Sequence, residues 1–262
     1  MVGVAGRIAL VTGAGSPDGI GFATARLLQA AGARVAITST TKRIFDRLDE
    51  LPGHAKDKAA FVCDLTDRKA AVDLVAKLEK TLGPLSILVN NAGMAQTGVK
   101  QKASFFHKVS DAEWDRALDI SLNTCFAVTR AAIPGMMRRR YGRIVNISSV
   151  TGPLVTNPRA SGYATAKAAM IGLTRTIAIE VADKGITANA VCPGWIANSS
   201  SSKEEIFAGK NTPIGRPGRS DEVGHVCVFL ASEEASYVTG QTIVVDGGNI
   251  IQEYKGPSEG YY

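Results

Sequence analysis

Tyr163 and Lys167 stand four residues apart in Ser161-Gly-Tyr-Ala-Thr-Ala-Lys167, a spacing that puts a phenol and an ammonium on one face of a helix. An ordinary tyrosine holds its proton with a pKa of about 10, and a neighbouring cation favours the phenolate. The pair is therefore a candidate proton donor for acid/base chemistry near neutral pH. Taken alone, Tyr-x-x-x-Lys reads more readily as an aromatic beside a solvated lysine on an ordinary helix. Other segments decide between the two.

The first of these lies near the start. Arg7-Ile-Ala-Leu-Val-Thr-Gly13 reads as a short buried strand, and Gly19-Ile20-Gly21 opens an apolar-periodic helix that ends near Gly32. Glycines at such a junction let backbone approach a pyrophosphate, whose charge meets free amides and the positive end of the helix dipole. Ala33-Arg-Val-Ala-Ile-Thr38 then reads as a second strand, completing a β-α-β unit in which the motif has a mechanism.

With both regions in view, the chain resembles the short-chain dehydrogenase/reductase family over nearly its whole length. Asp64-Leu65 resembles the family's adenine contact, and Asn90-Asn91-Ala92-Gly93 its turn after the fourth strand. Ser148-Ser149 ends the fifth strand and Pro193-Gly194 follows the sixth. The resemblance implies an α/β fold, a single-domain Rossmann-type doubly wound parallel sheet over residues 1–262. Strand-like runs near 7–12, 33–38, 59–63, 85–89, 143–148, 186–192 and 242–246 alternate with helical stretches near 19–31, 67–82, 111–137, 161–183 and 219–231, as that fold requires. A loop insertion near 94–110, a lid near 197–218 and a C-terminal extension over 249–262 complete the expected organisation.

Length and composition agree, since 262 residues at 45% hydrophobic can bury a substantial core. The net charge of +6 tolerates anionic ligands. Its densest run, Arg138-Arg-Arg140, closes a long helix where cations oppose the dipole, and no basic surface interleaved with aromatics points to nucleic acid. No apolar run approaches the roughly 20 residues that span a bilayer, and Met1-Val-Gly-Val-Ala is given no targeting role. Cys63, Cys125, Cys192 and Cys227 are scattered through apolar segments, which predicts reduced, buried thiols, a cytoplasmic setting and no metal site.

The cofactor follows from the end of the second strand. An NAD site places a carboxylate about 20 residues beyond the glycines, but here the chain reads Thr38-Ser39-Thr40-Thr41-Lys42-Arg43. Hydroxyls and a guanidinium suit the additional phosphate of NADP, so NADP(H) is expected, with Ser39 and Arg43 as its ligands and NAD(H) left open. The glycine loop carries two residues more than the usual family pattern. Within it, Ser16 can donate to a phosphate, whereas Asp18 must turn outward or contact something else.

The resemblance implies hydride exchange between nicotinamide and a ketone or secondary alcohol. Tyr163 is then the acid/base and Lys167 its cationic support and ribose contact. Ser149 is the donor to the substrate oxygen, preferred over Ser148 because it precedes Val150-Thr-Gly152. Ser121 occupies the position where the family has asparagine; a packed hydroxyl is the competing reading. Gly13, Gly19, Ile20, Gly21, Asn91, Ala92 and Gly93 would line the dinucleotide, with Pro193, Gly194, Ile196 and Asn198 at the nicotinamide. Met94 and Trp195 are candidate substrate walls. The pattern is similar to the 3-oxoacyl-carrier-protein reductases and to secondary-alcohol dehydrogenases on that scaffold. The changed position at Ser121 and the longer loops favour a dedicated small-molecule ketone reductase, active as a homotetramer. A non-catalytic nucleotide-binding regulator is the alternative from another class. Carbon–carbon double-bond reduction is disfavoured because such relatives separate their tyrosine and lysine more widely.

Overall fold

The computed structural model describes residues 3–93 and 103–256. Met94, a candidate substrate wall, lies outside the described residues, as do 95–102 of the loop insertion and 257–262 of the C-terminal extension. Seven strands build the sheet: β1 (Ile8–Val11), β2 (Arg34–Ser39), β3 (Lys58–Val62), β4 (Leu85–Asn90), β5 (Gly142–Ile147), β6 (Ile186–Pro193) and, last in the chain, β9 (Thr242–Val245). A separate two-stranded ladder joins β7 (Ile196–Ala197) to β8 (Gly218–Arg219). The helices are α1 (Ile20–Ala30), α2 (Ile44–Glu50), α3 (Arg68–Thr81), α4 (Asp111–Leu118), α5 (Thr124–Arg139), α6 (Ser161–Val181), α7 (Lys203–Lys210) and α8 (Ser220–Leu230).

The sheet order is β3-β2-β1-β4-β5-β6-β9, with every neighbouring pair parallel. Near-continuous apolar strands such as Ile8-Ala-Leu-Val11 are buried along their whole length because helices cover both faces. On one face Phe22, Ala25 and Leu28 of α1 pack with Val223 and Cys227 of α8. On the other, Leu74 and Leu78 of α3 join Val128 and Met136 of α5 and Ile177 of α6. Chain order reverses between β1 and β4, and at such a switch point the loops leaving neighbouring strands diverge and open a crevice at their carboxyl ends.

A buried polar chain fixes the register beneath that crevice. Asn90 Nδ2 donates to Thr129 Oγ1 and to Asn146 Oδ1, each at 2.8 Å, and Asn146 Nδ2 donates to Thr174 Oγ1 at 2.8 Å. These bonds tie β4, α5, β5 and α6 into one unit, since sliding any of them would strand a buried polar group at a cost of about 1–3 kcal/mol.

The helix expected without interruption over 111–137 is divided. A π-turn occupies Asp119–Asn123, between α4 and α5. Ser121 Oγ donates to Gly93 O at 2.7 Å, drawing the helix against the turn after β4. Thr124 Oγ1 donates to the carbonyls of Ile120 at 3.0 Å and Ser121 at 3.3 Å, serving acceptors that the widened turn leaves short of amide donors. The helices α2 and α7 add to the helical stretches expected, and α7 falls inside the segment read as a lid.

Candidate active site

Ser148 and Ser149 leave β5 in opposite directions, as strand alternation demands. Ser148 Oγ donates to the Lys167 carbonyl at 2.8 Å and so pins β5 to α6. Ser149 Oγ accepts the Thr151 amide at 3.0 Å and lies near enough to the Tyr163 phenol to influence its proton. The structure thus separates the two serines by task, one fastening elements together and the other meeting the phenol. Gly152 makes this approach possible: it has φ +112°, and a Cβ there would lie 2.2 Å from the Ala164 carbonyl oxygen. The loop after Ser149 therefore lies directly on the backbone of α6 beside Tyr163.

Lys167 departs from the expected arrangement. Its Nζ donates to the Ile147 carbonyl at 2.8 Å and stands 5.7 Å from the centroid of the Tyr163 ring. Burial lowers its pKa to about 8, while Cys125 and Cys192 pull weakly the other way. Burial also raises the Tyr163 phenol above its ordinary value, against the influence of Ser149, which lowers it. The expected downward shift from a neighbouring cation is absent: the buried amine gives up its own proton near pH 8, before the phenol would ionise. In this geometry Tyr163 holds its proton at neutral pH, which is the state a donor needs.

The other side of the crevice is the glycine loop. Gly13 has φ +68°, and a Cβ there would come within 2.7 Å of Ala92 Cα. Only glycine allows the loop and the β4 turn to approach so closely. Thr12, which the sequence reading passed over, joins them: its Oγ1 accepts the amides of Asn91 and Ala92 at 3.0 Å each. Asn91 Nδ2 returns bonds to the carbonyls of Thr12 and Gly13, both at 3.0 Å. The helix behind, α1, begins at Gly19 with no side-chain cap and no acid in its first turn, so its amides present an uncompensated positive end. A Cβ on Gly15 would lie 2.8 Å from Arg43 Nε and 2.9 Å from Ser39 Cβ. Free amides, a bare glycine shelf and a guanidinium together fit a dinucleotide carrying phosphate groups.

Several expected contacts are engaged otherwise. Ser16 Oγ donates to Asp18 Oδ1 at 2.9 Å rather than facing the crevice with a free proton, because the longer loop brings the carboxylate back onto it. Ser39 Oγ donates to the Thr41 carbonyl at 3.0 Å. Asn198 Oδ1 accepts the Ser200 amide at 2.9 Å, and the Ile196 carbonyl accepts Ser201 Oγ at 3.1 Å. Asp64 accepts the Thr66 amide at 3.0 Å and lines a cavity of about 270 Å³ with Ile120 and Asp119, while Leu65 is buried. Trp195 lines another cavity, of about 140 Å³, with Ile214, Arg216 and Glu222, and neither Ser149 nor Tyr163 borders it. Gly194 follows Pro193 and lies against Asp246, where a Cβ would approach to 2.6 Å.

The cysteines play no part in this arrangement. Burial pushes the thiols of Cys125 and Cys227 up to about 12 and that of Cys63 to about 11, so none is a thiolate at neutral pH. Among the described residues no group of histidines, cysteines and carboxylates could hold a metal ion, and no helix is long and apolar enough to cross a membrane.

Comparison with known proteins agrees with this architecture. The profile of a family described as enoyl-(acyl carrier protein) reductase matches residues 13–249. Nodulation protein G of a Rhizobium species is 42% identical over 95% of this chain and 98% of its own. The 3-oxoacyl-[acyl-carrier-protein] reductase of Thermotoga maritima is 38% identical over 94% of this chain and 98% of its own. Among solved structures, a provisionally assigned gluconate dehydrogenase from Agrobacterium tumefaciens superposes with a TM-score of 0.84 at 35% identity, covering 95% of this chain and 97% of that one. With likeness in sequence and fold running almost end to end, the chain belongs to the short-chain dehydrogenase/reductase family of oxidoreductases.

Proposed function

We propose that the protein is an NADP(H)-dependent oxidoreductase that interconverts a ketone and a secondary alcohol. The observation that carries this reading is the closeness of Ser149 to the Tyr163 phenol, beside buried Lys167 one helical turn further along α6. When bound, the nicotinamide supplies or accepts the hydride; the chain manages orientation and the proton. Gly13, Gly15, Gly19, Ile20 and Gly21 hold the dinucleotide phosphates, with Asn91, Ala92 and Gly93 bracing the loop. Asp64 and Leu65 border the adenine, and Pro193, Gly194, Ile196 and Asn198 the nicotinamide.

In reduction, Ser149 donates to the substrate oxygen and Tyr163 delivers its proton as negative charge grows there. Lys167 then stands behind the phenolate. Ser121 supports the site through Gly93 rather than by handling a proton, since its hydroxyl hydrogen is already given to that carbonyl. One relative is named for 3-oxoacyl reduction, and the matching family is described by enoyl reduction. The helical pairing of Tyr163 with Lys167 supports carbonyl chemistry, and the substrate class favoured is small ketones. A homotetramer in a cytoplasmic setting accompanies this proposal; Ile179 on α6, 82% exposed, is one apolar side chain that a neighbouring subunit would cover.

The test follows NADPH and NADH consumption with a panel of ketones that includes 3-oxoacyl thioesters. Turnover with NADPH on simple ketones supports the reading. Tight nucleotide binding without turnover on any carbonyl would favour a regulatory binder. Ser39 and Arg43 are proposed to read the additional phosphate. Arg43→Ala is expected to weaken NADPH by about 10- to 100-fold, the worth of a charge-assisted bond, with NADH changed by about threefold or less. Equal losses for the two nucleotides would remove Arg43 from that role.

A further inference from the structure

After β6 the chain leaves the sheet, runs through β7 and α7, and returns at β8 and α8. Both ends of the excursion that carries α7 are fastened to the same residue of the glycine loop. Asp18 Oδ1 accepts Ser199 Oγ at 2.9 Å, and Asp18 Oδ2 accepts the Ser199 amide. The Asp18 carbonyl accepts Ser220 Oγ at 2.7 Å. Ser16 Oγ, donating to Oδ1 at 2.9 Å, steadies the carboxylate from its own loop.

The placement of this contact is informative. The glycine loop follows β1 and the excursion follows β6, and β4 and β5 lie between those strands in the sheet. A bond from Asp18 to Ser199 therefore joins the loops that bound the crevice from its two ends. It also explains a carboxylate in a phosphate-binding loop: with three donors collected on it, the anion is held towards the excursion. Asp18 and Ser199 are both exposed, so water competes for these bonds and the contact can open.

We infer that Asp18 is a positioning residue that clasps the α7 excursion to the glycine loop, and that a dinucleotide enters and leaves by opening this clasp. The inference rests on the nucleotide assignment proposed above. A closed clasp slows entry as well as exit. A gate of this kind changes association and dissociation rates together and leaves the ratio nearly constant, whereas a direct ligand of the nucleotide changes the ratio.

Stopped-flow fluorescence of NADPH binding to the full chain separates these cases. Asp18→Ala is expected to raise both rate constants about fivefold, equivalent to about 1 kcal/mol, with the dissociation constant moving about twofold or less. Ser199→Ala keeps the charge and the amide donor and should accelerate both rates about twofold. The double variant should be no faster than Asp18→Ala, since both changes break one contact. Unchanged rates, singles that multiply, or a dissociation constant raised tenfold without faster association would overturn the inference. Hydrogen exchange in the nucleotide-free chain gives an independent reading: amides over 199–211 should exchange faster in Asp18→Ala while α1 and the sheet stay protected. Equal protection in both proteins would also overturn it. If the unmodified chain binds neither NADPH nor NADH, the proposed function and the gating role fail together, and exchange still decides whether the clasp exists.

Discussion

Replacing Tyr163 by phenylalanine is expected to lower kcat by about a hundredfold to ten-thousandfold, the range that a positioned proton donor contributes, while NADPH affinity changes by about threefold or less. The ring itself is conserved in the variant, so the packing of α6 against the Ser149 loop remains. Only the hydroxyl beside Ser149 disappears. Lys167 stays in place as well, because its anchor is the Ile147 carbonyl and not the phenol. The parts proposed to hold the dinucleotide belong to other loops, around Gly13 after β1 and around Asn91 and Ala92 after β4, which Thr12 ties together. Binding and chemistry should therefore separate cleanly. Fluorescence titration measures the first and steady-state NADPH oxidation the second. Turnover within a few-fold of the unmodified enzyme would remove Tyr163 from the mechanism.

The direction of the Tyr163 shift bears on what this residue does. Two residues of opposite tendency, read from spacing alone, suggest a phenol drawn towards ionisation. The fold adds burial, which acts on both partners: it raises the phenol and lowers the amine, favouring the neutral form of each. A phenol that keeps its proton is suited to protonating a growing alkoxide. The same group serves alcohol oxidation only after losing that proton, so oxidation should gain relative to reduction as pH rises.

Local chemistry was legible where it depends on neighbours in sequence. The β1-α1-β2 unit follows from apolar runs and glycines, and the separate tasks of Ser148 and Ser149 follow from strand alternation. The helix α7 was legible too, through the Ser202/Glu205 capping box at its start, but its run of serines reads more readily as loop. Long-range contacts were not. Asp18 meets Ser199 across 181 positions of chain, and nothing near Asp18 names that partner. The π-turn at Ser121 likewise depends on the Gly93 carbonyl of another loop, so a helical pattern over 111–137 carries no sign of it. Gly15 shows its importance only when Ser39 and Arg43 are folded against it.

Lys167→Met should be more stable than the unmodified protein at pH 7 and lose that advantage as the pH rises, while its turnover falls by about a hundredfold or more. The folded-state pKa of Lys167 is about 8 against an ordinary value of 10.5. Below about 8 the amine is charged in both folded and unfolded chains, and the full cost of burying an ammonium is present. Between about 8 and 10.5 the unfolded chain binds more protons than the folded one, so the unmodified protein gains stability as pH rises. The difference between those values corresponds to a gain on the order of 3 kcal/mol across the window. Methionine carries no such cost, but it leaves the Ile147 carbonyl without its 2.8 Å donor, a loss of about 1–2 kcal/mol. The net advantage of the variant at pH 7 is then on the order of 1–2 kcal/mol. It should vanish and change sign by about pH 10. Urea unfolding of both proteins at pH 7 and pH 10 measures this, because every other titrating group is shared and cancels in the difference. Parallel pH profiles would show that the ammonium is not strained by burial, and the lysine would then owe its place at Tyr163 to something other than a stability sacrificed for proton chemistry.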